Sequence, residues 1–390
     1  MVEWCRFGAV VCPLKNMDPI PVLLMSEMLS AGGSERQLVE TAKSLDRRRF
    51  SAHVATLKGG FRQQELAKAG IPVVNLALDS FASFTALKAG LRLRNYIKTH
   101  NIQLFHSFDY SSGCFGVPVA RLAATPVVLS STRAHRSLYP PFYQRLLRLT
   151  DPLVHGMIVN CEAMRNHLIQ DESISPSRIH LCPNGIDLSN FNPQNRIRPA
   201  FFPTVLQEAS LIVGVICVLR QEKGLSTLLE AFANVSEQHP GLRLAIVGSG
   251  TLLPELQQKA SSLQISAKCH FEPSTRNVPA WLGGIDIFVL PSLSEAFSNS
   301  LMEAMACGCA VVASNTGGNP ELVHHNDTGL LFEPGNSKSL SHCLNQLISQ
   351  PETRQRFAIR AANYVATNLA VQTAAARMGQ IYTSLLSSQT

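Results

Sequence analysis

Short apolar runs recur along this chain, each separated from the next by a segment patterned like a helix. The first series reads IPVLLMSEM at 20–28, AHVATL at 52–57, PVVNLAL at 72–78, IQLFHS at 102–107, PVVLSS at 126–131 and GMIVN at 156–160. A polar, proline-rich stretch at 189–203 follows. A second series then runs LIVGVICVL at 211–219, LRLAIVG at 242–248, IDIFVLP at 285–291 and AVVASN at 310–315. Runs of this kind, alternating with helical patterns, argue for parallel sheets with crossover helices. The expectation is an α/β protein of two doubly wound, Rossmann-like domains, residues 1–200 and 201–390, with the final helices packing back on the first. Open parallel sheets bind ligands beyond the carboxyl ends of their strands, so the site is expected in a central cleft between the domains.

Composition narrows the ligand. The formal net charge is +7 without dense basic runs, which favours a small anionic ligand or a membrane surface over nucleic acid. No run of about 18 apolar residues occurs, so no membrane span is expected. Ten cysteines lack C-x-x-C spacing and read as reduced thiols, which points to the cytoplasm. Residues 1–16 read as an extension, with Met17 an alternative start.

Four segments carry chemistry. At 32–45, GGSERQLVETAKSL, Ser34 and Gln37 have capping-box spacing, and Leu38, Ala42 and Leu45 would line the helix's buried face. Gly33 would let a ligand approach the backbone where helix N–H groups face an anion, unless this is an ordinary strand-to-helix turn. Arg220 and Lys223 sit between a strand and a helix, where they could clamp a diphosphate or form a solvated loop. Gly248 and Gly250 make half of a dinucleotide fingerprint, whose third position is Leu253. In SEAFSNSLMEAMACG, Glu295 falls in a loop and Glu303 in a helix. Ser300 and Glu303 also fit a capping box, which would leave Glu303 a purely structural task. Carboxylates accept hydrogen bonds from paired hydroxyls, while helix N-termini, Arg and Lys hold phosphates. A sugar nucleotide carries all these groups, so one glutamate would hold the ribose and the other the transferred sugar.

These pieces in this order resemble the group 1 (family 4) glycosyltransferases: GGSERQL at 32–38, PNGID at 183–187, RQEKG at 220–224, VGSG at 247–250, PSLSEAFSNSLMEAMACG at 291–308 and GGNPELV at 317–323. The resemblance implies a GT-B fold and a retaining enzyme. It implies that Glu303 binds the donor ribose, Glu295 contacts the donor sugar, and Arg220 with Lys223 neutralises the departing diphosphate. Backbone N–H groups of Ala296, Phe297, Ser298, Asn299 and Ser300 would serve phosphate and sugar, with Gly33, Gly248 and Gly250 also on the donor side. The chain departs from the family pattern in places. Where many members carry a histidine after the strand matching 126–131, it has Thr132 and Arg133, with His135 beyond. It has FEP at 271–273 where relatives often have F-x-G, and His106 is either a cleft residue or a structural one.

No D-x-D occurs, so no metal and no cofactor are expected. The expected activity is transfer of a hexose or N-acetylhexosamine from a nucleotide sugar, UDP-linked, to a hydroxyl of a glycan or lipid-linked glycan in polysaccharide or glycolipid biosynthesis. A nicotinamide-dependent dehydrogenase and a non-catalytic sugar-nucleotide-binding protein are the rivals. The stretch 133–149 interleaves Arg133, Arg136, Arg145 and Arg148 with Tyr139, Phe142, Tyr143 and Leu146. It reads either as a crossover helix with Leu146, Leu147 and Leu149 in the core, or as a face resting on an anionic membrane at its cytoplasmic side.

Overall fold

The computed structural model describes residues 18–78, 81 and 84–388. The expectations for residues 1–16 and Met17 lie outside the described residues. Seven strands build a first sheet: β1 (Ile20–Ser26), β2 (Phe50–Thr56), β3 (Val73–Asn75), β4 (Leu104–Ser107), β5 (Val127–Thr132), β6 (Gly156–Val159) and β7 (Ile179–Leu181). Six build a second: β8 (Leu211–Ile216), β9 (Leu242–Val247), β10 (Cys269–Glu272), β11 (Ile287–Leu290), β12 (Ala310–Ser314) and β13 (Leu330–Phe332). Their orders are β3-β2-β1-β4-β5-β6-β7 and β10-β9-β8-β11-β12-β13, and the paired strands run parallel. Both sheets are therefore doubly wound. Their winding reverses between β1 and β4 and between β8 and β11, the places where such sheets open a ligand crevice.

The central strands are buried on both faces; Val22 to Met25 and Val311 to Ala313 are fully covered. Such strands read as continuous apolar runs. β7, β10 and β13 escaped that reading because they are short and include half-buried positions: IHL, CHFE and LLF. Several runs also outlast their strands. The run at 211–219 leaves the sheet after Ile216, and its last residues enter the loop that carries Arg220.

The helix Gly33–Ser44 buries Leu38 and Ala42, with Leu45 covered just beyond it. The capping box expected at Ser34 and Gln37 is absent. The cap position is Gly32, which has no side chain to offer, and the Gln37 amide instead clasps the backbone N–H and carbonyl of Gly185. The chain's last helix, Val371–Ser387, returns to the first sheet. Tyr382 is buried among Val22, Leu24 and Phe50, meeting the Phe50 ring edge-on at 5.9 Å. Ala370, just before that helix, bridges to Ile186. The eight described cysteines are free thiols, and among the described residues no helix is long and apolar enough to cross a membrane.

Candidate active site

A cleft of about 730 Å³ lies between the two sheets, and its walls come from the segments that follow strand ends. Gly33, Ser34 and Arg36 follow β1, Tyr110 follows β4, Arg133 and His135 follow β5, Asn160 follows β6 and Asn184 follows β7. From the second sheet come Arg220 and Lys223 after β8, Gly248 after β9, Ser274 and Thr275 after β10, and residues 294–300 with Glu303 after β11. The cations after β8 and the carboxylates after β11 thus flank the second sheet's reversal point.

Glu295 sits in the loop and Glu303 in the helix Asn299–Ala306. That helix is capped by Ser298, whose hydroxyl accepts from the Leu301 N–H at 3.3 Å. The capping box expected of Ser300 and Glu303 therefore does not form. Glu303, 4% exposed, forms an ion pair through Oε1 with Arg36 Nη1 from the opposite wall. Burial, reinforced by the nearby Arg62 charge, brings the Arg36 pKa down to about 10. Arg36 was not anticipated. Its only sequence signal is its place on the first turn of the helix behind Gly32 and Gly33.

Lys223 Nζ donates to Glu295 Oε2 at 2.7 Å, and the Ser292 hydroxyl donates to the same oxygen at 3.0 Å. Burial works against the Lys223 charge, yet the attraction and hydrogen bond of Glu295 outweigh it and hold the pKa above the usual lysine value. An ammonium has three N–H donors, so two remain for a ligand. Arg220 lines the cleft without an ion pair among the described residues. The turn after β12 presses on this loop. Gly317 has φ 54°, and a Cβ there would stand 1.7 Å from the Glu295 carbonyl oxygen, so no side chain fits. The Gly318 N–H donates to the Ala296 carbonyl at 2.7 Å.

Of the twelve expected site residues, Gly33, Arg220, Lys223, Gly248, Glu295 to Ser300 and Glu303 line this one cleft. Gly250 is not among the lining residues; it packs on the loop after β8, where a Cβ would meet the Leu219 carbonyl at 2.2 Å.

The residues left open fall to different places. Arg133 lines the cleft with its Nη1 donating to Asn184 Oδ1 at 2.6 Å, its Nε lacking a partner and its guanidinium 4.9 Å from the Phe108 ring centre. Burial lowers its pKa to about 10. It forms no ion pair among the described residues, and its polar partner is the neutral amide of Asn184. His106 is structural: fully buried, it bonds the Tyr382 hydroxyl at 2.7 Å and Ser131 Oγ at 2.8 Å. Burial, with the Arg133 charge adding to it, holds its pKa well below the usual histidine value. Arg136 is not a surface cation. It is buried and binds Asp151 through two nitrogens, at 2.7 and 2.9 Å.

His135, His167 and Asp171 bring ligand atoms within 4.8 Å of one another. The chemistry argues against a metal there. The Arg136 N–H donates to His167 Nε2, so in the neutral ring the proton sits on Nδ1, which donates to Asp171 Oδ2 at 2.5 Å.

Residues 197–364 match the family described as Glycosyl transferases group 1, and residues 31–190 match Glycosyltransferase Family 4. The chain is 30% identical over 360 residues to the D-inositol 3-phosphate glycosyltransferase of Thermobifida fusca (strain YX), covering 84% of this chain and 82% of that protein. It is 28% identical over 236 residues to the N-acetylgalactosamine-N,N'-diacetylbacillosaminyl-diphospho-undecaprenol 4-alpha-N-acetylgalactosaminyltransferase of Campylobacter jejuni, covering 60% of each. Among solved structures, Anabaena HepE in complex with UDP and glucose superposes with a TM-score of 0.83 at 21% identity, over 94% of this chain and all of that one. That neighbour speaks for the GT-B architecture of two facing sheets.

Proposed function

The chain belongs to the group 1 glycosyltransferases, and from that premise we propose that it transfers a hexose or N-acetylhexosamine, with retention and without a metal, from a UDP-sugar to a hydroxyl of a glycan or lipid-linked glycan in polysaccharide or glycolipid assembly. One observation carries the reading: Arg220, Lys223, Glu295, the loop 296–300 and Glu303 line a single cleft at the strand ends of the second sheet. We read residues 1–200 as the acceptor-side domain and 201–390 as the donor-side domain.

The roles follow from donor and acceptor capacity. Glu303 has its Oε1 occupied by Arg36, which leaves Oε2 to accept from the ribose hydroxyls. Glu295, tethered to Lys223, faces the sugar, and backbone N–H groups of the loop Ala296, Phe297, Ser298, Asn299 and Ser300 serve sugar and phosphate. Gly33 and Gly248 line the donor side of the cleft, and at Gly248 the Cys217 carbonyl, 1.8 Å from where a Cβ would stand, leaves no room for a side chain. As the bond between C1 of the sugar and the diphosphate oxygen breaks, its electron pair passes to that oxygen, and Arg220 and Lys223 stabilise the charge growing there. The acceptor oxygen bonds to C1 on the same face, and its proton goes to the leaving phosphate oxygen. Both carboxylates are already engaged by cations, a donor set that suits neutralisation by Arg and Lys rather than by a held metal ion.

Arg133 fits a negatively charged acceptor group, in keeping with relatives named for an inositol phosphate and an undecaprenol diphosphate. On the same side, Phe142 and Leu149 are 61% and 72% exposed beside Arg145 and Arg148. Of the three leucines read as core, only Leu147 is buried. This face suits contact with an anionic membrane at its cytoplasmic side. The test is a thermal-shift screen of nucleotide sugars followed by release of labelled nucleotide. UDP-sugars are expected to stabilise the protein and to be turned over without added metal; stabilisation by reduced nicotinamide cofactors instead, or binding with no turnover, would favour one of the two rivals.

A further inference from the structure

An asparagine amide has an accepting end and a donating end, and in Asn184, 4% exposed, both are committed at the cleft. Its Oδ1 accepts from Arg133 Nη1 at 2.6 Å. A guanidinium has no acceptor, so this contact settles which way the amide faces. Nδ2 must then donate, and it does so to Asn299 Oδ1 at 2.8 Å and to the Phe297 carbonyl at 3.4 Å. Asn299 is oriented in turn. Its Oδ1 also accepts from Gln37 Nε2 at 3.2 Å, and its Nδ2 donates to the Gly33 carbonyl at 3.3 Å. Gln37 holds both backbone groups of Gly185, which fixes the residue next to Asn184. Each amide nitrogen in this series meets an acceptor. It runs without a break from Arg133, on the first sheet's side, to Phe297 and Asn299 on the second's.

We infer that Asn184 is a positioning residue that ties the placement of Arg133 to that of the donor loop, so that transfer is efficient only when the two walls are in register. The inference rests on reading the cleft as a nucleotide-sugar site. Asn184 acts through Arg133 and Asn299, and its amide accepts from the guanidinium at one end while donating to the loop at the other. Asn184→Asp keeps the shape and the acceptor for Arg133. It sets a second acceptor against Asn299 Oδ1 and the Phe297 carbonyl, which breaks the series at one link.

The test uses UDP-glucose and UDP-N-acetylglucosamine as probes, with UDP release measured without added acceptor, UDP affinity measured by calorimetry, and melting measured as a check on folding. Asn184→Asp and Asn184→Ala are expected to lower kcat at least about tenfold, as misplacement of a reacting geometry does, with donor KM and UDP affinity within about threefold of wild type. The double variant Asn184→Ala/Asn299→Ala is expected to lose no more kcat than the worse single variant, because both cut one network. A merely structural asparagine would lower the melting temperature, leave kcat of the folded protein unchanged and act independently of Asn299. Wild-type kcat in Asn184→Asp, or effects that multiply in the double variant, would overturn the coupling while leaving UDP binding intact. Absence of UDP binding in the wild type would instead overturn the nucleotide-sugar reading and the coupling with it.

Discussion

Removing the Glu303 carboxylate separates its two candidate tasks. In the free protein it pairs with Arg36, whose charge is itself disfavoured by burial. Losing one partner of a fully buried pair costs about 3 to 5 kcal/mol; the Arg36 side chain is 24% exposed, so roughly 1 to 3 kcal/mol is expected for Glu303→Ala. On donor binding, the ribose hydroxyls lose a charged acceptor worth about 1.5 to 3 kcal/mol, which weakens UDP roughly 10- to 100-fold. Arg36→Ala breaks the same pair and should destabilise comparably, yet it leaves the carboxylate in place. Its UDP affinity should therefore stay within a few-fold of wild type or rise, since the ligand then supplies partners to an uncompensated anion. The assay is calorimetric titration with UDP on all three proteins, with melting curves taken in its absence. Glu303→Ala binding UDP as tightly as wild type, or Arg36→Ala losing as much affinity as Glu303→Ala, would refute the ribose assignment. The helix cap is not a competing explanation, because Ser298 and Leu301 supply it without Glu303.

Other consequences follow from the same geometry. Arg220→Ala and Lys223→Ala should each lower turnover on the order of 100-fold or more in a nucleotide-release assay, because each removes charge stabilisation where charge grows. Near wild-type rates in the folded variants would remove the diphosphate clamp. Excess chelator should leave that rate unchanged, and strict dependence on added manganese would contradict the metal-free proposal. Flotation on anionic vesicles should exceed that on neutral ones, fall as salt rises, and drop in Arg145→Ser/Arg148→Ser; equal recovery throughout would contradict membrane contact. His106 has a folded pKa below its unfolded value, so its stability contribution is complete above about 6.5 and is lost as pH falls, by up to about 1.4 kcal/mol per pH unit. Urea melts between pH 7 and 5 should show a shallower decline in His106→Gln than in wild type, and parallel curves would refute the assignment.

The central strands of both sheets were legible because strands buried on both faces read as runs of apolar residues, whereas the short edge strands β7, β10 and β13 carry half-buried positions and left no such run. That the candidate residues would share one cleft was legible for a related reason. In doubly wound sheets the ligand meets the strand ends, so polar residues just after an apolar run, such as Arg220, Lys223 and Glu295, announce themselves locally. Partnership is another matter. That Glu303 meets Arg36, that Arg133 is buried without a carboxylate while Arg136 binds Asp151, and that Gln37 serves Gly185 rather than a helix cap all depend on which segments are brought together from far along the chain. A charged or amide side chain takes its role from the groups that satisfy it, and those groups come from other strands. The return of the last helix to cover the first sheet, with Tyr382 bonded to His106, is likewise a choice among apolar faces that any amphipathic helix could have covered. Local pattern therefore determined the layers and the loops that line the cleft, while the pairing of buried polar groups across it was decided only by the tertiary structure, because desolvation makes each such group depend on a partner the neighbouring sequence does not contain.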